Sequence, residues 1–192
     1  MRNLSNRFAL VATLALAAPF AFAQQDHGHS HAPAAASVER AIVVLQPTEG
    51  SKASGTVEFK KVADGVEITA RVEGLDANGK HGFHIHEFGD ATSPDGTAMG
   101  GHFNPTGAPH AGPDADQRHV GDFGNLEADD NGVATYSRVD KHITFEGATS
   151  ILGRGMIVHA GTDDLESQPT GDAGARIAQG IIAVDGPDEE KK

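Results

Sequence analysis

Val66, Ile68, Ala70 and Val72 alternate with Glu67, Thr69, Arg71 and Glu73. A period of two sets the apolar residues on one face of an extended chain, whereas a helix would scatter them around its axis. The segment is therefore a strand with one dry and one wet face, as in an antiparallel sheet packed on one side. The rest of the chain shares this bias: after residue 23 there are twelve Val and nine Ile but five Leu. β-branched side chains fit a pleated surface better than a helix. Asp64-Gly65 and Asn131-Gly132 lie between strand-like runs and supply the positive φ values of tight hairpin turns. Strands are expected at 39–47, 55–62, 66–73, 82–87, 121–127, 132–139, 155–160 and 180–185. Eight short strands in a domain of this size predict an all-β sandwich or barrel.

Two stretches do not fit a minimal barrel. Residues 88–118 are rich in Gly, Pro, Asp and His, and 160–179 form a second polar segment. Long irregular loops inside a compact domain are usually functional, and most of the chain's 11 histidines gather on or beside these two. The 192 residues contain no cysteine, which removes disulfides, thiolate metal ligands and a thiol nucleophile. A net charge of −12 argues against nucleic acid, which needs clustered Lys and Arg.

The N-terminus reads as an address. Arg2 and Arg7 precede an apolar run that ends in Ala21-Phe22-Ala23 before polar Gln24, the pattern of a cleaved secretory signal peptide over 1–23. Pro19 interrupts the run short of the length that a stable membrane anchor needs. The expected location is secreted, or periplasmic if the cell is Gram-negative. Removing two arginines leaves 13 basic and 27 acidic residues, so the mature chain is more acidic still. Residues 24–37 read as a disordered lead carrying His27, His29 and His31, either a copper-capturing tail or a solvated one with incidental histidines. The folded domain is expected over 38–186, followed by a charged tail at 187–192.

His84 and His86 are one residue apart on an expected strand, so both project from the same face and suit one metal ion. His159, at the end of another strand-like run, offers a third imidazole. In the long loop, His102, His110, His119 and Asp122 follow at intervals of 8, 9 and 3 residues. Three imidazoles and a carboxylate form a plausible closed zinc site, although a polar loop with scattered histidines has similar spacing. His81 and His142 fit no motif and read as ordinary strand or surface residues.

The residues around these positions closely resemble the copper/zinc superoxide dismutase family. The resemblance rests on GFHIHEFGD at 82–90, GHFNP at 101–105, RHVGDFGN at 118–125, ILGRGMIVHAGTDDL at 151–165 and TGDAGARIAQG at 170–180. It implies an eight-stranded Greek-key β-barrel whose two long loops are functional. It also implies copper held by His84, His86, His102 and His159, and zinc held by His102, His110, His119 and Asp122, with His102 bridging the two. Asp163 would link the free nitrogens of His84 and His110. Arg176 would stand at the mouth of the copper channel, with Thr170 lining the same funnel. The implied substrate is superoxide anion, oxidised to oxygen in one step and reduced to hydrogen peroxide in the next. A copper carrier on the same fold and a zinc hydrolase or lyase using His84, His86 and His159 are the alternatives. A homodimer is also open, since the apolar face of a dimer looks like that of a core strand.

The chain departs from the family at the disulfide that normally ties the long loop to the strand after the channel Arg. Gln179 occupies the later cysteine position, and the earlier one falls near Gly96 or Thr97. Zinc is expected to supply comparable loop order.

Overall fold

A computed structural model of the chain describes residues 37–186. The expected signal peptide, nearly all of the lead with its three histidines, and the charged tail lie outside the described residues.

Nine strands follow in order: β1 Arg40–Pro47, β2 Ser54–Val62, β3 Gly65–Glu73, β4 Lys80–His86, β5 Asp122–Glu127, β6 Ala134–Asp140, β7 Gly155–His159, β8 Arg176–Ile181 and β9 Ala183–Val184. The spatial order is β5-β4-β7-β8-β1-β2-β3-β6, every pairing is antiparallel, and the short β9 adds to β1. Because β3 neighbours β6 and β4 neighbours β7, the chain crosses between the two halves twice, in Greek-key fashion. An Ala128–Ala134 bridge and a Tyr136 hydroxyl donating to the Phe123 carbonyl at 3.1 Å join the outer strands, so the barrel nearly closes.

The alternation in β3 decides its register. Val66, Ile68, Ala70 and Val72 are buried, with Ile68 opposite Phe59 and Ala70 opposite Val57 on β2. A one-residue slip would turn this row to solvent, so the core selects the pairing. Phe59, Phe83 and Phe123 are fully buried, and side chains of this kind each contribute about 1.5–3 kcal/mol of burial. At the Asn131-Gly132 turn, Asp129 Oδ1 accepts the backbone N–H groups of Asn131 and Val133, both at 2.9 Å. Gly132 is needed there: its φ is +72°, and a Cβ would stand 2.3 Å from the Leu75 carbonyl oxygen.

The last expected strand, 180–185, is corrected. It consists of two pieces, β8 beginning at Arg176 and β9 at Ala183. Between them Ile182 turns aside to exchange backbone hydrogen bonds with Gly153 and Arg154. The second loop therefore ends before Arg176 rather than at Gln179. The start of β8 shows no apolar pattern in the sequence because the long loop, not the apolar core, covers Arg176 and Gln179.

Candidate metal centre

In β4, Phe83 and Ile85 point into the core, so the alternate residues His84 and His86 emerge on the opposite face. On the neighbouring β7, Met156 and Val158 point inward and His159 emerges at the strand end. That face is dry because the long loop folds over it. Glu87 N–H donates to the Gly101 carbonyl at 2.9 Å, and Phe103 N–H to the Ile85 carbonyl at 2.8 Å, which brings His102 beside His86.

One ligating atom from each of His84, His86, His102 and His159 lies within 4.8 Å of the others, and so it is for His102, His110, His119 and Asp122. His102 belongs to both groups. All seven residues are buried.

The hydrogen bonds assign the ring nitrogens. His84 Nε2 donates to Asp163 Oδ2 at 2.8 Å, His86 Nδ1 to the Gly100 carbonyl at 3.0 Å, and His159 Nδ1 to the Gly174 carbonyl at 3.1 Å. His102 Nδ1 lies 2.8 Å from Asp122 Oδ1. The opposite nitrogens, His84 Nδ1, His86 Nε2, His102 Nε2 and His159 Nε2, are buried without a hydrogen-bond partner. Buried polar atoms left unpaired are costly, and four that converge are accounted for by an ion that accepts all four lone pairs. Burial keeps these rings neutral: it pushes His84 down to about 3, His159 to about 4 and His86 well below its ordinary value, and lowers His102. Neutral imidazoles are what a transition metal binds.

The second group has the opposite electrostatics. Asp122 Oδ2 accepts backbone N–H groups from His119 at 3.1 Å and Ala111 at 3.2 Å, and lies 3.0 Å from His110 Nδ1. Asp163 Oδ1 accepts from His110 Nε2 at 2.9 Å. Burial works against charge on His110, but the two carboxylates overcome it and raise the ring to about 9. Burial likewise disfavours the Asp122 anion, yet its three imidazole neighbours hold its carboxyl well below the usual range. This group therefore calls for positive charge, which zinc would supply in place of a proton.

Asp163 stands between the groups and bonds one imidazole of each. Arg176, half-buried, donates to the Gly96 and Gly100 carbonyls. Since Gly100 also accepts from His86, one carbonyl joins the guanidinium to a histidine of the first group. Thr170 is half-buried in the second loop and makes no hydrogen bond to the histidines among the described residues. His81 is buried on β4, with Nδ1 3.0 Å from the His159 carbonyl oxygen, and His142 is exposed beside Asp140. At 179, where the resemblance implies a cysteine, the Gln179 side-chain amide donates to the Ser93 carbonyl at 3.1 Å and moors the long loop.

Several contributors were not singled out from the sequence. Asn125 grips the Asp163 backbone, accepting its N–H at 2.8 Å and donating to its carbonyl at 2.9 Å. Gly171 has φ +68°, and a Cβ there would collide with Asp163 Oδ1. Arg118, buried against Asp140, donates to the His119 and Val120 carbonyls and anchors the end of the long loop. Gln168 bonds both backbone groups of His110. Arg118 and Asn125 lie within the 118–125 motif, which was the available signal. Gln168 had none.

The two groups are compatible with copper and zinc, and comparison with known proteins agrees. The family model described as copper/zinc superoxide dismutase matches residues 53–182. A protein of Paramecium bursaria Chlorella virus 1 named "Superoxide dismutase [Cu-Zn]" is 46% identical over 153 residues, covering 76% of this chain and 80% of that one. A Candida albicans protein of the same name is 47% identical over 142 residues, covering 70% of this chain and 92% of its own. With the fold, the two clusters and this match over most of the described residues in agreement, the chain belongs to the copper/zinc superoxide dismutase family.

Proposed function

We propose that the chain is an exported superoxide dismutase with copper at His84, His86, His102 and His159 and zinc at His102, His110, His119 and Asp122. The observation that carries this reading is the position of His102, whose Nε2 is unpartnered in the first group while Nδ1 lies against Asp122 in the second. Bound copper supplies a one-electron acceptor and donor, and zinc, which has no redox chemistry, supplies fixed positive charge.

The chain's own groups do the rest. Arg176 offers a guanidinium to a small anion, held in place by two backbone carbonyls. His102 stores a proton at Nε2 and returns it to reduced superoxide, while its Nδ1 stays with the second group. Asp163 and the Gly100 and Gly174 carbonyls hold the tautomers that aim lone pairs at the centre. Two superoxide anions and two protons thus give oxygen and hydrogen peroxide.

Export is supported by the basic, apolar and small-residue pattern over 1–23. Among the described residues no helix is long and apolar enough to cross a membrane. Exposed Phe88 and Ile181 offer a second copy an apolar surface, and light scattering of the purified protein tests for a homodimer. Deleting residues 24–33 and measuring copper uptake at limiting copper tests the tail.

Metal analysis paired with superoxide decay tests the whole reading. One copper and one zinc per chain with fast decay supports it. Both metals without decay favours a carrier, and zinc alone favours a hydrolase.

A further inference from the structure

The four residues of the zinc group are not held alike. Asp122 opens β5, and its N–H donates to the His119 carbonyl at 3.2 Å; His102 pairs with His86 at the end of β4; the His119 carbonyl also accepts from Arg118. The His110 backbone pairs with no strand among the described residues. Its N–H donates to Gln168 Oε1 and its carbonyl accepts from Gln168 Nε2, both at 2.8 Å. One amide side chain from 58 residues away thus satisfies both backbone groups of a proposed zinc ligand.

Gln168 is itself well placed. Its Nε2 also donates to the Glu166 carbonyl at 3.0 Å. The turn that carries it is closed by Asp164 N–H to the Gly171 carbonyl at 2.9 Å and Gly171 N–H to the Ser167 carbonyl at 2.7 Å. Asp163 begins the same turn and takes the His110 ring through Nε2. One short stretch of the second loop therefore grips His110 at ring and backbone together, while Leu165 packs beside Gly112 just beyond it.

We propose that Gln168 is a positioning residue for the zinc group: by holding the His110 backbone, it sets how long zinc stays bound. This rests on the zinc assignment above and adds a residue that acts on His110 without touching the ion. Gln168 is exposed, so replacing it leaves the core intact. Partners that orient metal ligands typically affect affinity by about 10–100-fold, and one that holds the backbone rather than the ring belongs at the lower end.

The test compares wild type with Gln168→Met, which keeps the length but cannot hydrogen-bond. Gln168→Glu keeps the acceptor for the His110 N–H and loses the donor to its carbonyl. Glu166→Gln, an exposed neighbour, serves as the control. Zinc transfer to EDTA from the fully loaded protein is timed, and the visible spectrum of Co(II) in the zinc group is recorded. The expected result is zinc release about tenfold faster from Gln168→Met, an intermediate rate from Gln168→Glu, a wild-type rate from the control, and an altered Co(II) spectrum in Gln168→Met alone or most strongly. Wild-type zinc release and an unchanged Co(II) spectrum in Gln168→Met would overturn the role of Gln168 and leave the zinc assignment standing. Failure of the wild-type protein to hold zinc would overturn both.

Discussion

Replacing Asp163 with Asn perturbs both metal groups through one atom. The carboxylate accepts from His84 Nε2 at 2.8 Å and from His110 Nε2 at 2.9 Å, which leaves Nδ1 of each imidazole free for the candidate metal groups. Asn has one acceptor oxygen, and its other arm is an N–H donor. Whichever way the amide turns, one histidine faces a donor with a donor and must shift or change tautomer. The backbone stays in place because Asn125 bonds Asp163 at both N–H and carbonyl, so the effect should be local. A hydrogen bond to a charged group contributes about 1.5–3 kcal/mol, and tenfold in affinity is about 1.4 kcal/mol. The zinc group also loses an anion that helps lift His110 to about 9. Zinc affinity should therefore fall by about 10–100-fold, with a changed copper absorption spectrum as His84 adjusts. Competition with a chromophoric chelator measures the first and visible spectroscopy the second. Zinc affinity within about twofold of wild type would refute the reasoning, because it would mean that the Asp163 bonds do not orient the ligands.

Arg176→Glu should sharply lower the rate of superoxide decay and reverse its dependence on salt, since a net charge of −12 repels the substrate elsewhere and salt then screens repulsion instead of attraction; stopped-flow decay at low and high salt checks this. Removing zinc should lower the melting temperature, because only hydrogen bonds, one from Gln179 and two from Arg176, tie the long loop where the family resemblance implies a disulfide, a bond that contributes about 2–5 kcal/mol; calorimetry showing no shift would contradict it. For metal-free protein the melting temperature should peak near pH 6.5. His84 and His159, depressed to about 3 and 4, leave the unfolded chain holding more protons as pH falls below 6.5, so stability drops on the acid side. His110, raised to about 9, contributes stability that is complete below 6.5 and is lost as pH rises through 9. A flat profile between these limits would contradict the burial and pairing described. In zinc-loaded protein the alkaline loss should vanish, since zinc replaces the His110 proton.

What could be read from the sequence depended on which force held each residue. The row Val66, Ile68, Ala70 and Val72 was legible because the core sorts side chains by a period that sequence displays directly. His84 and His86 were legible for the same reason, inverted: Phe83 and Ile85 claim the core and leave the histidines the other face. Loop spacing alone could not group His102, His110 and His119, because a loop imposes no period; only the surrounding motifs did so. The beginning of β8 was missed because Arg176 and Gln179 are polar residues covered by a loop and tied to its carbonyls. Gln168 and Asn125 were missed because they bond to backbone groups far along the chain, and a backbone group has no sequence signature.

In the proposed function, His102 joins two metals through its two ring nitrogens. Copper(II) placed in both groups tests this most directly by electron paramagnetic resonance. The two ions should be magnetically coupled through the shared imidazole, so the signal of isolated copper disappears. Two independent copper signals of full intensity would contradict the shared ligand and the function built on it.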